Sequence, residues 1–136
     1  MLNVGIVGVT GYTGEELITV LLKHPSLRIS CIFSRSAHEK PLSEIYPKFK
    51  DVSDLVCLKP DVKKITEKCD LVFLALPHTV SMEIVPKLLK AGKRVIDLSA
   101  DYRLNNPKVY EKYYKVKHKD KTNLSCAVYG LSLIHI

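Results

Sequence analysis

The chain has 136 residues, 46% of them hydrophobic and 26% charged, with a formal net charge of +7. That length suits one domain with a single buried core, and the composition excludes disorder, internal repeats and, with no apolar run near the length of a bilayer crossing, a membrane span. The basic excess gathers between Lys108 and Lys121, where six lysines are mixed with three tyrosines and no arginine cluster, so it reads as a solvated face and not as a nucleic-acid surface.

From the start, LNVGIVGV at residues 2–9 is apolar and rich in β-branched side chains, which predicts a central strand buried on both faces. The same stretch lacks a basic leader or a cleavage site, so the expected location is cytoplasmic. From Thr13, TGEELITVLLKHP sets Leu17, Ile18, Leu21 and Leu22 along one helical face, and Pro25 ends it. LRISCIFS at 27–34 predicts a second strand. SRSAHEKPLSEIYP after it predicts a surface loop kept irregular by Pro41 and Pro47.

LVCLKP at 55–60 predicts a weaker strand, DVKKITEKC a short amphipathic helix, and DLVFLALP at 70–77 the most apolar strand of the chain. Residues 79–91 predict a helix closed by Gly92 and kinked or broken at Pro86. KRVIDLS supplies a further strand. Strands and helices alternate at crossover lengths, so the expected fold is α/β, a Rossmann-like doubly wound, mostly parallel sheet with helices on both faces. The domain is expected to occupy residues 1–130. Cys31, Cys57, Cys69 and Cys126 lie far apart in sequence with no CxxC pair, which reads as reduced core thiols and no metal site.

Gly8, Gly11 and Gly14 fall at a spacing of three between the first strand and the first helix. Glycine weakens regular structure, so the cluster needs a reason beyond local propensity. In a dinucleotide fold the first glycine permits the turn, the second lets the backbone approach the pyrophosphate, and the third lets helix and strand pack closely. The spacing GxxGxxG is a variant of the usual fingerprint, with Thr10, Tyr12 and Thr13 interleaved, and no GK[ST] follows to make a Walker loop. At the end of the second strand stand Ser34 and Arg35 where an acidic residue would favour NAD; a hydroxyl and a guanidinium suit a 2′-phosphate, so the expected cofactor is NADP.

GVTGYTGEEL, SEIYP, FLALPH, VIDLSADYRL and AVYGL occur in this order, and together they resemble the N-acetyl-gamma-glutamyl-phosphate reductase family over residues 1–131. The resemblance implies an NADPH-dependent oxidoreductase of arginine biosynthesis. Its reaction reduces an acyl phosphate, N-acetylglutamyl 5-phosphate, to the semialdehyde through a cysteine thioester. It also implies that Leu76, Pro77 and His78 border the nicotinamide and that the complete enzyme is a homo-oligomer. At the end of the next strand, where ligands collect in open parallel sheets, Ser99 is expected to neighbour the cofactor, and Arg103 is expected either to hold the small-molecule substrate or to pair with Asp97 or Asp101. His78 is weighed as a general base and set aside for that bordering role. The family's catalytic cysteine lies in a segment beyond AVYGL that this sequence does not contain, so no catalytic residue is assigned and the chain is expected to bind cofactor without turnover. AHEKP after Arg35 departs from the family's glycine at that place. The alternatives are a fragment like aspartate-semialdehyde dehydrogenase and a non-enzymatic dinucleotide sensor. The last six residues, LSLIHI at 131–136, leave the family's pattern and read as a non-native tail encoded by a library adapter on a truncated gene, the alternative being a natural short protein with a hydrophobic C-terminal strand.

Overall fold

The computed structural model describes residues 1–130. Strand β1 (Leu2–Val7) lies at the centre of a five-stranded sheet; β2 (Leu27–Phe33) and then β3 (Cys57–Leu58) flank it on one side, β4 (Leu71–Leu74) and then β5 (Arg94–Asp97) on the other. Every pairing is parallel, so each return of the chain needs a crossover. Central position explains the composition of β1: Val4, Gly5, Ile6 and Val7 are all buried. The order β3-β2-β1-β4-β5 reverses direction at β1, which opens a crevice beyond the C-terminal ends of β1 and β4.

Helix α1 (Tyr12–Leu21) covers one face of the sheet, with Ile18 and Leu21 buried against Val4, Ile6, Ile29 and Ile32. The short α2 (Leu42–Ile45) and a 3-10 turn at Pro47–Phe49 add Leu42 and Phe49 to that layer. On the opposite face, α3 (Val62–Lys68) and α4 (Ser81–Lys90) bury Ile65, Val85 and Leu88 against Val7, Phe33, Val72 and Leu74. Each such aliphatic side chain contributes about 1.5–3 kcal/mol on burial. The expected doubly wound α/β sheet is the architecture observed. Two further helices, α5 (Pro107–Tyr114) and α6 (Lys121–Leu124), follow the sheet.

Local differences from the sequence reading have physical causes. Burial on α1 centres on Gly14, Ile18 and Leu21, leaving Leu17 and Leu22 half-buried. The segment expected as an irregular loop instead forms α2 and the 3-10 turn, because Leu42 and Phe49 reach the core. Helix α4 runs unbroken through Pro86; the buried Val85 and Leu88 on either side hold the turn whose amide donor proline lacks. The lysine-rich segment is solvated as expected, yet it is an amphipathic helix with Tyr110 fully buried. AVYGL has no regular structure over residues 127–130, and Cys126 is exposed where a core thiol was expected. The tail reading at 131–136 lies outside the described residues.

Candidate functional site

The crevice predicted by the sheet order is present as a cleft of about 710 Å³. Its floor is the glycine turn. Gly8 has φ +93°, a conformation in which an L side chain is strained, and a Cβ there would collide with the Ala75 carbonyl oxygen of β4's exit. A Cβ on Gly14 would stand 2.5 Å from the Gly8 oxygen and 2.6 Å from the Val9 Cα, so this glycine allows α1 to sit directly on the turn. Gly11 differs from both. A Cβ on it meets no atom within 4 Å, its φ of −89° suits any residue, and it lines the cleft. Nothing within the protein requires Gly11 to be bare.

Gly11 is also the N-cap of α1, and it offers no side-chain oxygen to the helix's first amides. Unsatisfied N–H groups and the positive end of the helix dipole therefore face the cleft, an arrangement suited to an anion. Thr10, Tyr12 and Thr13 line the same opening, Tyr12 being 91% exposed. Beneath the turn, the Tyr46 hydroxyl donates to the Val9 carbonyl at 2.8 Å and fixes the loop from below. Burial, with the Glu15 carboxylate nearby, raises the Tyr46 pKa and keeps the phenol a donor.

On another wall, Ser34 is buried at the end of β2, and its hydroxyl accepts from the Ser36 and Ala37 amides at 3.2 and 3.3 Å. Those bonds shape the turn that puts Arg35 on the cleft wall, exposed. Among the described residues Arg35 has no carboxylate within salt-bridge distance; the nearest influence is electrostatic, on Glu83 of α4, which also lines the cleft. Glu83 is engaged by Lys119 at 2.5 Å, and that contact is the main cause of its lowered pKa.

Leu76 and Pro77 close the cleft at the exit of β4. The turn that follows carries Thr79 at φ +76°, unusual for a β-branched residue. Buried Asp101 holds it: one carboxylate oxygen accepts from the Thr79 amide at 2.6 Å and from the Tyr110 hydroxyl at 2.8 Å, the other from the Met82 amide at 3.1 Å. Burial and the Asp101 carboxylate together push the Tyr110 pKa up, so the phenol remains a donor.

The structure brings most of the residues named from the sequence to one place. Gly8, Thr10, Gly11, Tyr12, Thr13, Ser34, Arg35, Leu76 and Pro77 meet at one cleft, and Gly14 supports it from behind. His78 lies elsewhere: it is exposed, with its ring 5.4 Å from that of Tyr114 on α5, outside the cleft lining. Ser99 and Arg103 line a second cleft of about 560 Å³ beside β5. There the Ser99 hydroxyl donates to Asp97 at 2.8 Å, and Arg103 stacks toward Tyr129, its guanidinium carbon 5.9 Å from the ring centroid. The expected pairing of Arg103 with Asp97 or Asp101 is not found among the described residues. Sequence reasoning missed Pro60, Asp61 and Val62 at the head of α3 and Glu83 and Lys87 on α4. The first three follow a strand end and were open to the rule that ligands collect there. The other two reach the cleft only through helix packing.

The profile of the semialdehyde dehydrogenase, NAD binding domain family matches residues 3–135. The chain belongs to that family. It is 47% identical over 131 residues to N-acetyl-gamma-glutamyl-phosphate reductase of Geobacter metallireducens, covering 96% of this chain and 38% of that protein. To the enzyme of the same name from Methanocella arvoryzae it is 48% identical over 135 residues, 99% of this chain and 39% of that one. The resemblance seen in the motifs thus extends along the chain, which spans about 38% of the length of these curated relatives. Among solved structures, aspartate semialdehyde dehydrogenase with NADP from Candida albicans superposes with a TM-score of 0.67 at 24% identity, over 79% of this chain and 32% of that one. At that identity the likeness concerns the fold. A nicotinamide dinucleotide site is therefore both the family's property and what the cleft fits.

Proposed function

We propose that this chain is the NADP-binding domain of an acyl-phosphate reductase acting on N-acetylglutamyl 5-phosphate. The observation that carries the reading is Gly11: bare, unconstrained by any neighbour, and set at the uncapped start of α1 in the cleft. That is a backbone kept clear for a pyrophosphate. The names of the relatives supply the substrate class, and Ser34 with Arg35 supplies the preference for a 2′-phosphate.

In this reading Gly8, Gly11 and the amides of Tyr12 and Thr13 hold the pyrophosphate, with Thr10 and Thr13 offering hydroxyls. Gly14 keeps α1 close enough for its amides to reach. Ser34 and Arg35 take the adenosine ribose and its phosphate. Leu76 and Pro77 exclude water on the nicotinamide side, and NADPH would supply the reducing equivalent there. His78, Ser99 and Arg103 stand outside the adenosine half; the second cleft that Ser99 and Arg103 line is the place for the acyl phosphate, where Arg103 is the cation for an anionic group. The sequence offers no matching nucleophile, so the chain binds the dinucleotide and does not turn over.

The test is calorimetric titration of the purified chain with NADPH and NADH, followed by an assay of substrate-dependent NADPH oxidation. The reading expects saturable binding, tighter for NADPH, and no oxidation. Absence of binding to either dinucleotide overturns it. Turnover abolished by Cys126→Ser would show that the nucleophile lies within the chain after all.

A further inference from the structure

Away from the cleft, two thiols distant in sequence meet inside the layer beneath α3. Cys31 on β2 and Cys69 at the C-cap of α3, 38 positions apart in sequence, place their sulfurs 3.1 Å apart. Both are buried, at 3% and 2% exposure. The site is shaped around them. Gly5 of β1 lies alongside, and a Cβ on it would stand 2.6 Å from the Cys69 sulfur and 3.7 Å from that of Cys31, so β1 leaves its side-chain space to the sulfur pair. The Ser30 hydroxyl lies 3.6 Å from the Cys69 sulfur and 3.8 Å from that of Cys31, and it donates to the Lys68 carbonyl at 2.9 Å on the exposed rim. Ser30 itself is partly exposed. Cys57, also buried, and Cys126, exposed, have no cysteine partner among the described residues.

We propose that Cys31 and Cys69 form a reversible intramolecular disulfide, a modification site that ties β2 to the α3–β4 junction. A disulfide needs its sulfurs at about 2.05 Å, so closure shortens their separation by about 1 Å. The chemistry takes a low-molecular-weight disulfide as co-reactant. The Cys69 thiolate attacks one sulfur of that molecule; its S–S bond breaks, one thiolate leaves, and a mixed disulfide remains on Cys69. The Cys31 thiol gives up its proton and attacks the Cys69 sulfur, expelling the second small thiol. Two protein thiols are oxidised and one small disulfide is reduced to two thiols. The electrostatics assist the first step. With Cys31 as the protonated member of the pair, the contact between the two sulfurs holds the Cys69 thiol below its ordinary pKa and raises that of Cys31.

The bridge would join the two elements that carry the adenosine wall of the cleft. Cys31 stands three residues before Ser34 on β2, and the opposite end of α3 presents Asp61 and Val62 to the cleft. The sulfurs themselves lie well below the cleft, since Cys31 pairs with Gly5 of β1, three residues before Gly8. Oxidation therefore stiffens the wall without blocking it.

Incubation of the whole chain with oxidised glutathione, followed by alkylation in denaturant and peptide mass spectrometry, tests the site. The expected result is a linked Cys31–Cys69 peptide, two mass units lighter than the reduced pair and reversed by dithiothreitol. Its melting temperature should exceed that of the reduced chain, and Cys69→Ser should abolish both the link and the rise. Cys31 and Cys69 remaining fully alkylatable at oxidising equilibrium, or bridged only to Cys126 or to another molecule, would overturn the proposal. A linked form no more stable than the reduced chain would overturn the stiffening.

Discussion

The Asp101 carboxylate accepts the Thr79 amide hydrogen at 2.6 Å across 22 residues of chain, and so joins the segment after β5 to the turn after β4. Thr79 occupies the left-handed region at φ +76°, a conformation a β-branched residue leaves unless something fixes it. With Met82 and Tyr110 also donating to it, the buried carboxylate accepts three hydrogen bonds. Asp101→Asn would turn an amide group toward donors that have nowhere else to go. The expected loss is about 2–4 kcal/mol, the scale of buried donors left unpaired by a lost charged acceptor. Urea unfolding measures it, and a loss under about 1 kcal/mol would mean that the turn is held by other contacts.

Gly11 and Gly14 separate a ligand's requirement from the fold's. Gly14→Ala puts a methyl 2.5 Å from the Gly8 carbonyl oxygen and 2.6 Å from the Val9 Cα, both backbone, so it should cost stability on the scale of overpacking, about 1–3 kcal/mol or more. Gly11→Val meets open space, and apart from a poorer cap, about 1 kcal/mol, the fold should persist. Its side chain occupies the place of the pyrophosphate, so NADPH binding should vanish. Calorimetry and thermal melts on both variants test the contrast. Retained affinity in the Gly11→Val chain would reduce the glycines to a structural turn.

The difference between these two glycines was only half legible in the sequence. The spacing announced a glycine turn between β1 and α1, and the alternation of apolar runs announced the parallel sheet, because both are local patterns with a fixed period. What each glycine faces is a tertiary fact. His78 shows the same limit: it follows the strand end where ligands collect, yet the strained turn at Thr79 goes with a ring set against Tyr114. Lys87 and Glu83 reach the cleft because Val85 and Leu88, on the other side of α4, are buried in the core. No single stretch of residues carries that information. The Cys31–Cys69 contact was invisible for the same reason, since sequence spacing shows thiols far apart and only the β2–β1–β4 pairing brings them together.

Arg35 is the residue on which cofactor choice is expected to turn. It is exposed on the cleft wall, and the buried Ser34 hydroxyl shapes the turn that carries it. Arg35→Asp reverses the charge that a 2′-phosphate would meet. NADPH binding should weaken by about 1.5–3 kcal/mol, the scale of a lost charge-assisted hydrogen bond, while NADH binding is spared. Parallel titrations with the two cofactors decide it, and equal losses would exclude a role in discrimination.

Asp97 gives the protein a pH dependence whose sign follows from its surroundings. Burial, the largest influence, raises its carboxyl pKa, although the Ser99 hydroxyl and amide and the Ser81 hydroxyl all donate to it and pull the other way; the Asp101 charge adds to the rise. A carboxyl whose folded pKa lies above its unfolded value binds more protons in the native state. Stability from this group is therefore greatest at low pH and falls as pH climbs from the unfolded value, near 4, through the folded one. The Asp97→Asn variant cannot ionise at this position and lacks that dependence. The stability of the parent chain relative to the variant should then decline as pH rises above about 4 and level off once Asp97 is fully charged. Urea unfolding of both chains at several pH values between about 4 and 8 follows the difference. A difference that grows with pH would mean that the three serine bonds outweigh burial and that the folded pKa is lowered instead.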